Sequence, residues 1–499
     1  MLFNSYQFLI FFPIVVLIYF VIPDRVKYLW LLAASWYFYM CWNPAYIILI
    51  LISTVVTWTS GILMERADRG DAQEQTKTAQ KKLIVSGSVI LNLGILFYFK
   101  YFDFGIRILC SLFGLLHIEL VIPEFDILLP VGISFYTFQA LGYTIDVYRE
   151  DIQAEKNFFR YALFVSFFPQ LVAGPIERSG NLLHQLEKPS RFSLERTKDG
   201  FLQMLWGYFL KIVLADRIGI FVDTAYGDTT TYYGWYLIIA SVLFFFQIYC
   251  DFYGYSSIAK GAAEILGIEL MENFNAPFFS LSVPEFWSRW HISLTTWFRD
   301  YLYIPLGGNR KGRWRKYLNN IIVFTASGLW HGAAWHYVAW GFVNGVYQVA
   351  GDILKPLRNK AVHLLGLHRD SLGHKLLRCW ITFFLTDLSV VFFRASGMGE
   401  AFSVIKKMFT ASNPWVLFDG WTIYECGLDR YNFQLMVVCL IILLFADWMK
   451  RKGIQIREVI LQQDVWFQSV LVIFFICAIL LFGQWGPAYD ASSFIYFQF

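Results

Sequence analysis

Two histidines, His331 and His336, lie within an otherwise apolar stretch of the chain, SGLWHGAAWHYVAWG (327–341). The pKa of imidazole is ordinarily about 6.5, so a histidine can accept the proton of an alcohol and act as a general base. An ionisable side chain inside a membrane helix indicates a functional site by default. This stretch therefore contains a candidate catalytic residue, and the alternative is a neutral imidazole that bonds to a neighbouring helix.

The residues around His331 favour it over His336. Small residues flank His331, among them Gly328 and Gly332, and they would let a second backbone or a substrate approach closely. If the helix continued, the five-residue separation would place the two histidines roughly 140° apart around its axis, so only one could face a given cavity. We predict that His331 is catalytic. His336 precedes Tyr337 near the outer end of the stretch, and we interpret it as an interfacial residue without a chemical role.

A third histidine, His291, lies in SVPEFWSRWHISLTTWFRDYLYIPLGGNR (282–310). This stretch is too charged to span a bilayer, and its aromatic residues alternate with charged ones, which predicts an amphipathic or re-entrant segment on the cytoplasmic side. His291 is either an interface residue or one end of a path that leads to the deeper His331. No serine or cysteine nucleophile is visibly paired with either histidine, so we expect direct acyl transfer between two bound substrates.

The composition predicts a polytopic membrane protein. Of the 499 residues, 57% are hydrophobic and only 16% are charged, whereas soluble domains average about 25% charged residues. Long apolar runs, each near the roughly 20 residues of a membrane helix, occur at 6–22, 45–63, 82–101, 235–250, 433–448 and 465–483. They do not alternate as barrel strands do, so we predict an all-α domain over 1–499 with about 11 transmembrane helices. The first run lacks the basic region and cleavage site of a signal peptide, so we expect it to be a membrane helix.

Basic residues indicate the orientation of the chain. They are concentrated in segments 64–82, 307–316, 354–378 and 450–457, which we place in the cytoplasm. Neither end of the sequence carries such a concentration, so we expect both termini to be extracytoplasmic. The net charge of +4 follows from this cytoplasmic excess and predicts no nucleic-acid partner.

Several other chemistries have no sequence support. The seven cysteines form no CxxC pair and have no histidine nearby at metal-ligand spacing, so we predict no metal site. A GxxxxGK[ST] loop and a GxSxG elbow are both missing, which argues against ATP-driven transport and a serine-hydrolase mechanism. We expect no bound cofactor.

The chain resembles the membrane-bound O-acyltransferase (MBOAT) family. The resemblance rests on SFYTFQALGYTIDVYRE (134–150), FFPQLVAGPIER (167–178), DFYGYSSIAKG (251–261), the 272–310 segment around FWSRWHISL, GLWHG (328–332), VFFRASGMGEAF (391–402) and the ending FIYFQF. Their order and number are specific, and they cover nearly the whole chain. Within the family, RDYLYIPLGGNRKG and the ending are similar to the bacterial branch typified by the membrane subunit of alginate O-acetylation.

The resemblance implies a fold and a reaction. Helices would surround a central tunnel that joins a cytoplasmic vestibule to an outward funnel, in a bacterial cell membrane. His331 matches the catalytic histidine of the family and His291 its second histidine. An acyl donor, acetyl-CoA or a charged acyl carrier protein, would be used from the cytoplasm. The acetyl group would pass across the membrane to an extracytoplasmic acetyltransferase partner that decorates a polysaccharide.

Seven further residues are candidates for substrate binding: Trp330, Asp251, Trp290, Arg299, Asp300, Asn309 and Arg310. Asp251 has the alternative of a helix-packing carboxylate bonded to a tyrosine or serine neighbour, and Arg299 with Asp300 that of a cytoplasmic ion pair. Basic segment 307–316 either docks an anionic donor or only sets the topology. The DFYGYSS stretch departs from the Asp-Phe-Ser-Gly-Tyr-Ser-Asp of the branch, because Tyr253 and Ser257 replace a serine and an acid. The exact substrate is therefore open.

Two other functions remain as alternatives. One is D-alanyl transfer from a carrier protein to teichoic acid, against which the PLGGNR element argues because that branch usually lacks it. The other is a flippase or transporter without covalent chemistry. It would predict an inverted repeat or paired broken helices, and the sequence indicates neither.

Overall fold

The computed structural model describes residues 1–70, 73–118, 129–172, 174–485 and 495. Within these ranges every regular element is helical, which confirms the all-α prediction. The chain divides into two compact units, one formed by 1–201 with 258–271 and the other by 202–257 with 272–499. The single domain over 1–499 and the central tunnel stay predictions.

The first unit contains helices α1 to α9 and the first part of α10, whose remaining residues belong to the second unit. They are α1 (Tyr6–Val21), α2 (Lys27–Met40), α3 (Ile47–Arg69), α4 (Glu74–Leu96), α5 (Phe102–Gly114), α6 (Ile133–Tyr148), α7 (Phe158–Ser166), α8 (Phe168–Leu171), α9 (Ser179–Glu187) and α10 (Leu194–Tyr208). The predicted cytoplasmic loop 64–82 is largely helical, which corrects the sequence interpretation. Its polar residues form the ends of α3 and α4, where Arg69 pairs with Glu65 one turn away.

The second unit contains the segments that carry the histidines. Its helices are α11 (Asp216–Gly227), α12 (Trp235–Ile265, whose last turns belong to the first unit), α13 (Val283–Trp287), α14 (Ile292–Phe298), α15 (Arg313–His331), α16 (Trp335–Ile353), α17 (Lys355–Leu364), α18 (Leu372–Arg394), α19 (Met398–Thr410), α20 (Arg430–Arg451), α21 (Ile456–Leu461) and α22 (Val465–Phe482). The segment around His291 is broken into the short helices α13 and α14, neither of which is long enough to span a membrane by itself.

Six described helical stretches are long and apolar enough to cross a membrane. They are Pro44–Arg69, Glu74–Gly114, Trp235–Ile265, Leu372–Arg394, Arg430–Arg451 and Val465–Phe482. Five of them contain or overlap the predicted apolar runs, while α1 is apolar but shorter. The Leu372–Arg394 stretch was not predicted as a run, because Lys375 and Arg378 in its first turns hide its start. The multi-pass class is thus supported, and the count of about 11 stays a prediction.

Candidate active site

His331 is the last residue of α15. Residues Gly332 and Ala334 are extended, with φ of −160° and −152°, and α16 begins at Trp335. The helix therefore does not continue from His331 to His336, so the two histidines lie on different helices and not roughly 140° apart around one axis. The break places His331 at the turn of a helical hairpin formed by α15 and α16.

Glycines let the two helices of this hairpin pack backbone to backbone. A Cβ atom on Gly328 would collide with the carbonyl oxygen of Tyr337, and one on Gly341 would collide with that of Phe324. Small residues at such contacts are typical of close helix pairs in membranes. The small residues that the sequence showed around His331 therefore serve, at least in part, to bring α16 against α15.

Replacing Gly341 by alanine is expected to destabilise the protein by about 1–3 kcal/mol, because the new methyl group forces two packed helices apart. Gly351→Ala is the matched control on the same helix. A Cβ atom there meets nothing within 4 Å, and alanine favours helix by about 1 kcal/mol. Thermal unfolding in detergent distinguishes the two variants. Equal melting temperatures for both variants would contradict tight packing at Gly341.

The imidazole of His331 is held by aromatic rings. Its centroid lies 5.0 Å from that of Trp330, 5.2 Å from Trp340 and 5.2 Å from Phe393, each with steeply inclined planes. The residue is only 7% exposed. Edge-to-face contacts of this kind fix a ring orientation and exclude water from its faces.

A small cavity lies beside His331. Its volume is about 30 Å³, and its wall combines indole rings, including those of Trp290 and Trp340, with the threonine and serine side chains of Thr386 and Ser389. By this measure one water requires about 10–15 Å³, so the space admits roughly two waters. Such a space fits the reacting end of a substrate better than a whole coenzyme.

His291 lies between α13 and α14 in a left-handed backbone conformation, with φ of 43° and ψ of 56°. A residue other than glycine costs roughly 1–2 kcal/mol in this region. Its side chain is 2% exposed, and its ring lies 4.6 Å from that of Phe252. Burial lowers the pKa of His291 to about 3, so its imidazole is neutral at physiological pH.

The strained conformation at His291 is fixed by hydrogen bonds to Asn273. The carbonyl oxygen of Asn273 accepts from the backbone N–H of Ile292 at 2.9 Å, and its Oδ1 accepts from the Ser293 hydroxyl at 2.6 Å. The Asn273 amide in turn donates to the hydroxyl of Ser256 on α12 at 3.0 Å. Asn273 thus ties the start of α14 to α12. The sequence did not reveal this role, although Asn273 lies within the 272–310 segment that resembles the family.

Trp330 connects the two histidines. Its indole centroid lies 6.2 Å from the ring of His291 and 5.0 Å from that of His331. The structure therefore brings together two residues that are 40 positions apart in the sequence and that were predicted to act along one path. The buried imidazole of His331 borders the cavity, and that of His291 lies on the other side of the Trp330 indole. This arrangement suits proton transfer to or from a substrate in a water-poor site.

Comparison with known proteins identifies the family. Residues 149–390 match the sequence profile of the membrane-bound O-acyltransferase family. The chain is also 35% identical over 449 residues to the protein of Pseudomonas syringae pv. tomato named "Probable alginate O-acetylase AlgI", with 89% of this chain and 80% of that protein covered. This chain belongs to the membrane-bound O-acyltransferase family.

Two other relatives show the range of the family. The "Peptidoglycan O-acetyltransferase" of Helicobacter pylori is 32% identical over 444 residues, covering 82% of this chain and 80% of that protein. The "Teichoic acid D-alanyltransferase" of Bacillus subtilis is 28% identical over 283 residues, covering 54% of this chain and 68% of that protein. The chain is therefore a multi-pass membrane O-acyltransferase, and the alternative of a transporter without covalent chemistry is wrong.

The remaining predicted binding residues of the acyltransferase fall into three environments. Trp290 lines the cavity and stacks on Phe286 at 5.3 Å. Arg299 pairs with Asp300 at 2.7 Å, and the Arg299 side chain is 60% exposed. Asn309 and Arg310 are exposed in the turn that follows. Trp290 and Trp330 of the predicted set lie directly at the histidine site, and the binding roles of the whole set stay predictions.

Asp251 takes part in a buried ion pair of the acyltransferase. Its Oδ1 lies 2.7 Å from Nζ of Lys211, and Lys211 also pairs with Asp216 at 2.8 Å. The other carboxylate oxygen of Asp251 accepts from the backbone N–H of Ile495 at 2.8 Å. These partners, a lysine and a backbone N–H, differ from the expected tyrosine or serine neighbour, and they give Lys211 a role that sequence inspection missed.

Glu285 anchors the segment that carries His291. Its carboxylate accepts from Arg451 on α20 at 2.6 Å, from Arg289 at 3.2 Å and from the backbone N–H of Leu281 at 2.9 Å. Burial raises the pKa of the Glu285 carboxyl, but the hydrogen bonds from Leu281 and Arg451 outweigh it and leave the pKa below its usual value. Glu285 is therefore ionised at neutral pH and holds α13 against the end of α20.

His336 is buried within the protein, 7% exposed, and its expected position at the membrane interface stays a prediction. Its Nδ1 atom lies 3.0 Å from the carbonyl oxygen of Phe392 on α18, and its ring packs 4.1 Å from that of Tyr337. The contact satisfies a backbone carbonyl near the end of α18. His336 thus has a structural partner. That it has no chemical role stays a prediction.

Proposed function

We propose that this acyltransferase takes acetyl groups from acetyl-CoA at the cytoplasmic face of the bacterial cell membrane and moves them outward for O-acetylation of an extracytoplasmic polysaccharide. A separate extracytoplasmic acetyltransferase would complete the transfer, and both termini of the chain would lie outside. The observation that carries the proposal is the position of His331. Its imidazole is buried, borders the cavity and shares an indole with His291.

In the proposed reaction His331 is the general base. It accepts the proton of the accepting hydroxyl while that oxygen attacks the thioester carbonyl of the donor. The carbon–sulfur bond then breaks, and the departing thiolate takes up the proton that His331 accepted, so that CoA leaves as a thiol and the imidazole is neutral again. His291, neutral and fixed by Asn273, would orient the donor near the cytoplasmic entrance.

An exposed basic surface supports an anionic donor. Segment 307–316 contains five basic residues and no acidic one, and Asn309 and Arg310 in it are exposed. The phosphates of CoA would be attracted to such a surface. Arg299 and Asp300 precede this segment by less than ten residues and would take part in the same docking.

The acetyl donor is favoured over D-alanine by the comparisons. The alginate O-acetylase of Pseudomonas syringae and the peptidoglycan O-acetyltransferase of Helicobacter pylori match 89% and 82% of this chain, whereas the D-alanyltransferase of Bacillus subtilis matches 54% of it. A D-alanyl donor would arrive on a carrier protein, and the basic segment would bind an acidic carrier as well. The donor therefore has to be tested directly.

The test uses purified protein in nanodiscs supplied with radiolabelled acetyl-CoA, with thiol release and label transfer followed in time. A parallel sample receives a D-alanyl-charged carrier protein. We expect thiol release from acetyl-CoA and none from the charged carrier. Turnover with the carrier alone would refute the acetyl donor and favour the D-alanyl alternative.

His291→Asn is expected to raise the KM for acetyl-CoA by about tenfold and to change kcat much less, since His291 is assigned to donor orientation. Asparagine tolerates the left-handed conformation at this position, so the variant separates the loss of the ring from backbone strain. Steady-state kinetics of thiol release measure both constants. A loss confined to kcat would instead place His291 in the chemical step.

A further inference from the structure

Helix α17 presents an apolar stripe with basic residues on both sides. At 100° per residue, Leu357, Ala361, Leu364 and Leu365 share one face with the preceding Leu354. Lys360 borders this face on one side, and Arg358 and Lys355 border it on the other. Leu357, Leu364 and Leu365 are 63%, 72% and 71% exposed. The stripe is thus open along its whole length.

The helix is well defined at both ends although no other part of the described chain covers it. Pro356 lies in its first turn. At its end Gly366, with φ of 60°, donates to the carbonyl of His363, and Leu367 donates to that of Val362. This pair of backbone hydrogen bonds forms a Schellman motif. None of the helix residues is buried.

An external partner is therefore required to explain a stable α17. A ten-residue helix is marginal in water on its own, because nucleation is costly and few hydrogen bonds follow. Most helical stability in proteins comes from burying an apolar face, and the leucines of this face remain largely exposed in the described chain.

Charge and position identify the partner. Segment 354–378 contains six lysine or arginine residues and one acidic residue, Asp370. It leads directly into α18, whose length and composition suit a membrane span, so α17 lies close to a membrane surface. An apolar stripe bordered by basic residues is typical of helices that lie among headgroups of anionic lipids. An acidic carrier protein would match the charge, but it would not account for an apolar stripe adjoining a span.

We infer that α17 is an interfacial helix that binds anionic phospholipid. Its leucine stripe enters the boundary between headgroups and acyl chains, and Lys355, Arg358 and Lys360 contact the lipid phosphates. This inference is independent of the acetyl donor and of His331. It assigns segment 354–378 a binding role beyond the orientation of the chain.

Hydrogen exchange of the full-length protein tests the inference. The exchange of backbone amides in 357–365 is compared in nanodiscs of pure phosphatidylcholine and of phosphatidylcholine with phosphatidylglycerol. We expect at least about tenfold slower exchange with the anionic lipid, because each basic residue adds attraction to an anionic surface. High salt should reduce the difference.

Three variants make the test specific. Arg358→Gln with Lys360→Gln should abolish the lipid dependence, and Leu357→Asn with Leu364→Asn should remove protection in both lipids. Lys82→Gln, which removes an exposed basic residue of α4, is the control and should leave the exchange of 357–365 as in the wild type. Because none of the α17 residues is buried, gel filtration and thermal unfolding should show intact folding in every variant.

Two outcomes would overturn the inference. Exchange that is equally fast in both lipids would show that anionic headgroups do not cover α17. Protection that appears only after an acidic acyl carrier protein is added would assign the helix to a protein partner instead.

Discussion

Substitution of His331 by asparagine is expected to lower kcat for thiol release from acetyl-CoA by about 10²- to 10⁴-fold, the usual contribution of a general base. His336→Asn is the matched control and should keep kcat within about threefold. The asparagine amide can still donate to the carbonyl of Phe392, which the His336 Nδ1 atom contacts at 3.0 Å. The two variants make the same change only a few residues apart, so their difference isolates the role of His331.

Folding has to be separated from chemistry in this comparison. The aromatic contacts of His331 with Trp330, Trp340 and Phe393 would be weakened in either reading of the residue. Gel filtration and thermal unfolding of both variants in detergent therefore accompany the kinetics. A well-folded His331→Asn protein with wild-type turnover would show that His331 is a packed membrane histidine.

Lys211→Met is expected to destabilise the protein by about 3–5 kcal/mol, the usual effect of removing one partner of a buried ion pair. Lys211 lies between Asp216 and Asp251, and the Lys211 and Asp251 side chains are each 3% exposed. Without the lysine, two carboxylates remain close together in a poorly solvated place. The melting temperature in detergent should fall sharply.

Two comparisons complete this prediction. Arg299→Met removes one partner of an exposed pair and should cost no more than about 1 kcal/mol. Asp251→Asn leaves Lys211 paired with Asp216 and should destabilise less than Lys211→Met. A stable Asp251→Asn protein without activity would assign Asp251 to substrate binding, whereas a stable Lys211→Met protein would contradict the structural role of the pair.

The sequence could predict the parts of the fold that depend on local pattern. Long apolar runs located most of the candidate spans, because membrane helices satisfy their own backbone and show directly in hydropathy. The charged, aromatic stretch around His291 predicts a segment that does not span, and the structure has the short helices α13 and α14 there. The Leu372–Arg394 helix was not predicted as a span, because the basic residues in its first turns resemble those of a loop.

The sequence pointed to the two histidines of the candidate site but not to the contacts that surround them. His331 and His291 were identified by their chemistry and by family motifs. Contacts between distant positions, such as Glu285 with Arg451 and Asp251 with Lys211, were not, since neither partner carries a local signal of the other. The break after His331 was also missed, because an apolar stretch does not show where two helices meet.

The structure shows the contacts of Tyr253, which replaces a serine of the related branch. Its ring stacks on that of Tyr249 at 5.3 Å, and the Lys450 ammonium lies 5.6 Å from its centroid. Tyr249 in turn donates to Asp447 at 2.8 Å. Ser257, where the branch often has an acid, is 3% exposed. The tyrosine thus joins an aromatic and charged cluster that links α12 to α20.

One measurement tests outward acetyl transfer through His331 most directly. Inverted membrane vesicles from cells that produce the polysaccharide expose the cytoplasmic face, and radiolabelled acetyl-CoA is added outside. We predict that label accumulates in polymer inside the vesicles, where added esterase reaches it only after detergent, and that His331→Asn vesicles accumulate none. Label that stays accessible to esterase, or that accumulates equally without His331, would contradict outward transfer by this histidine.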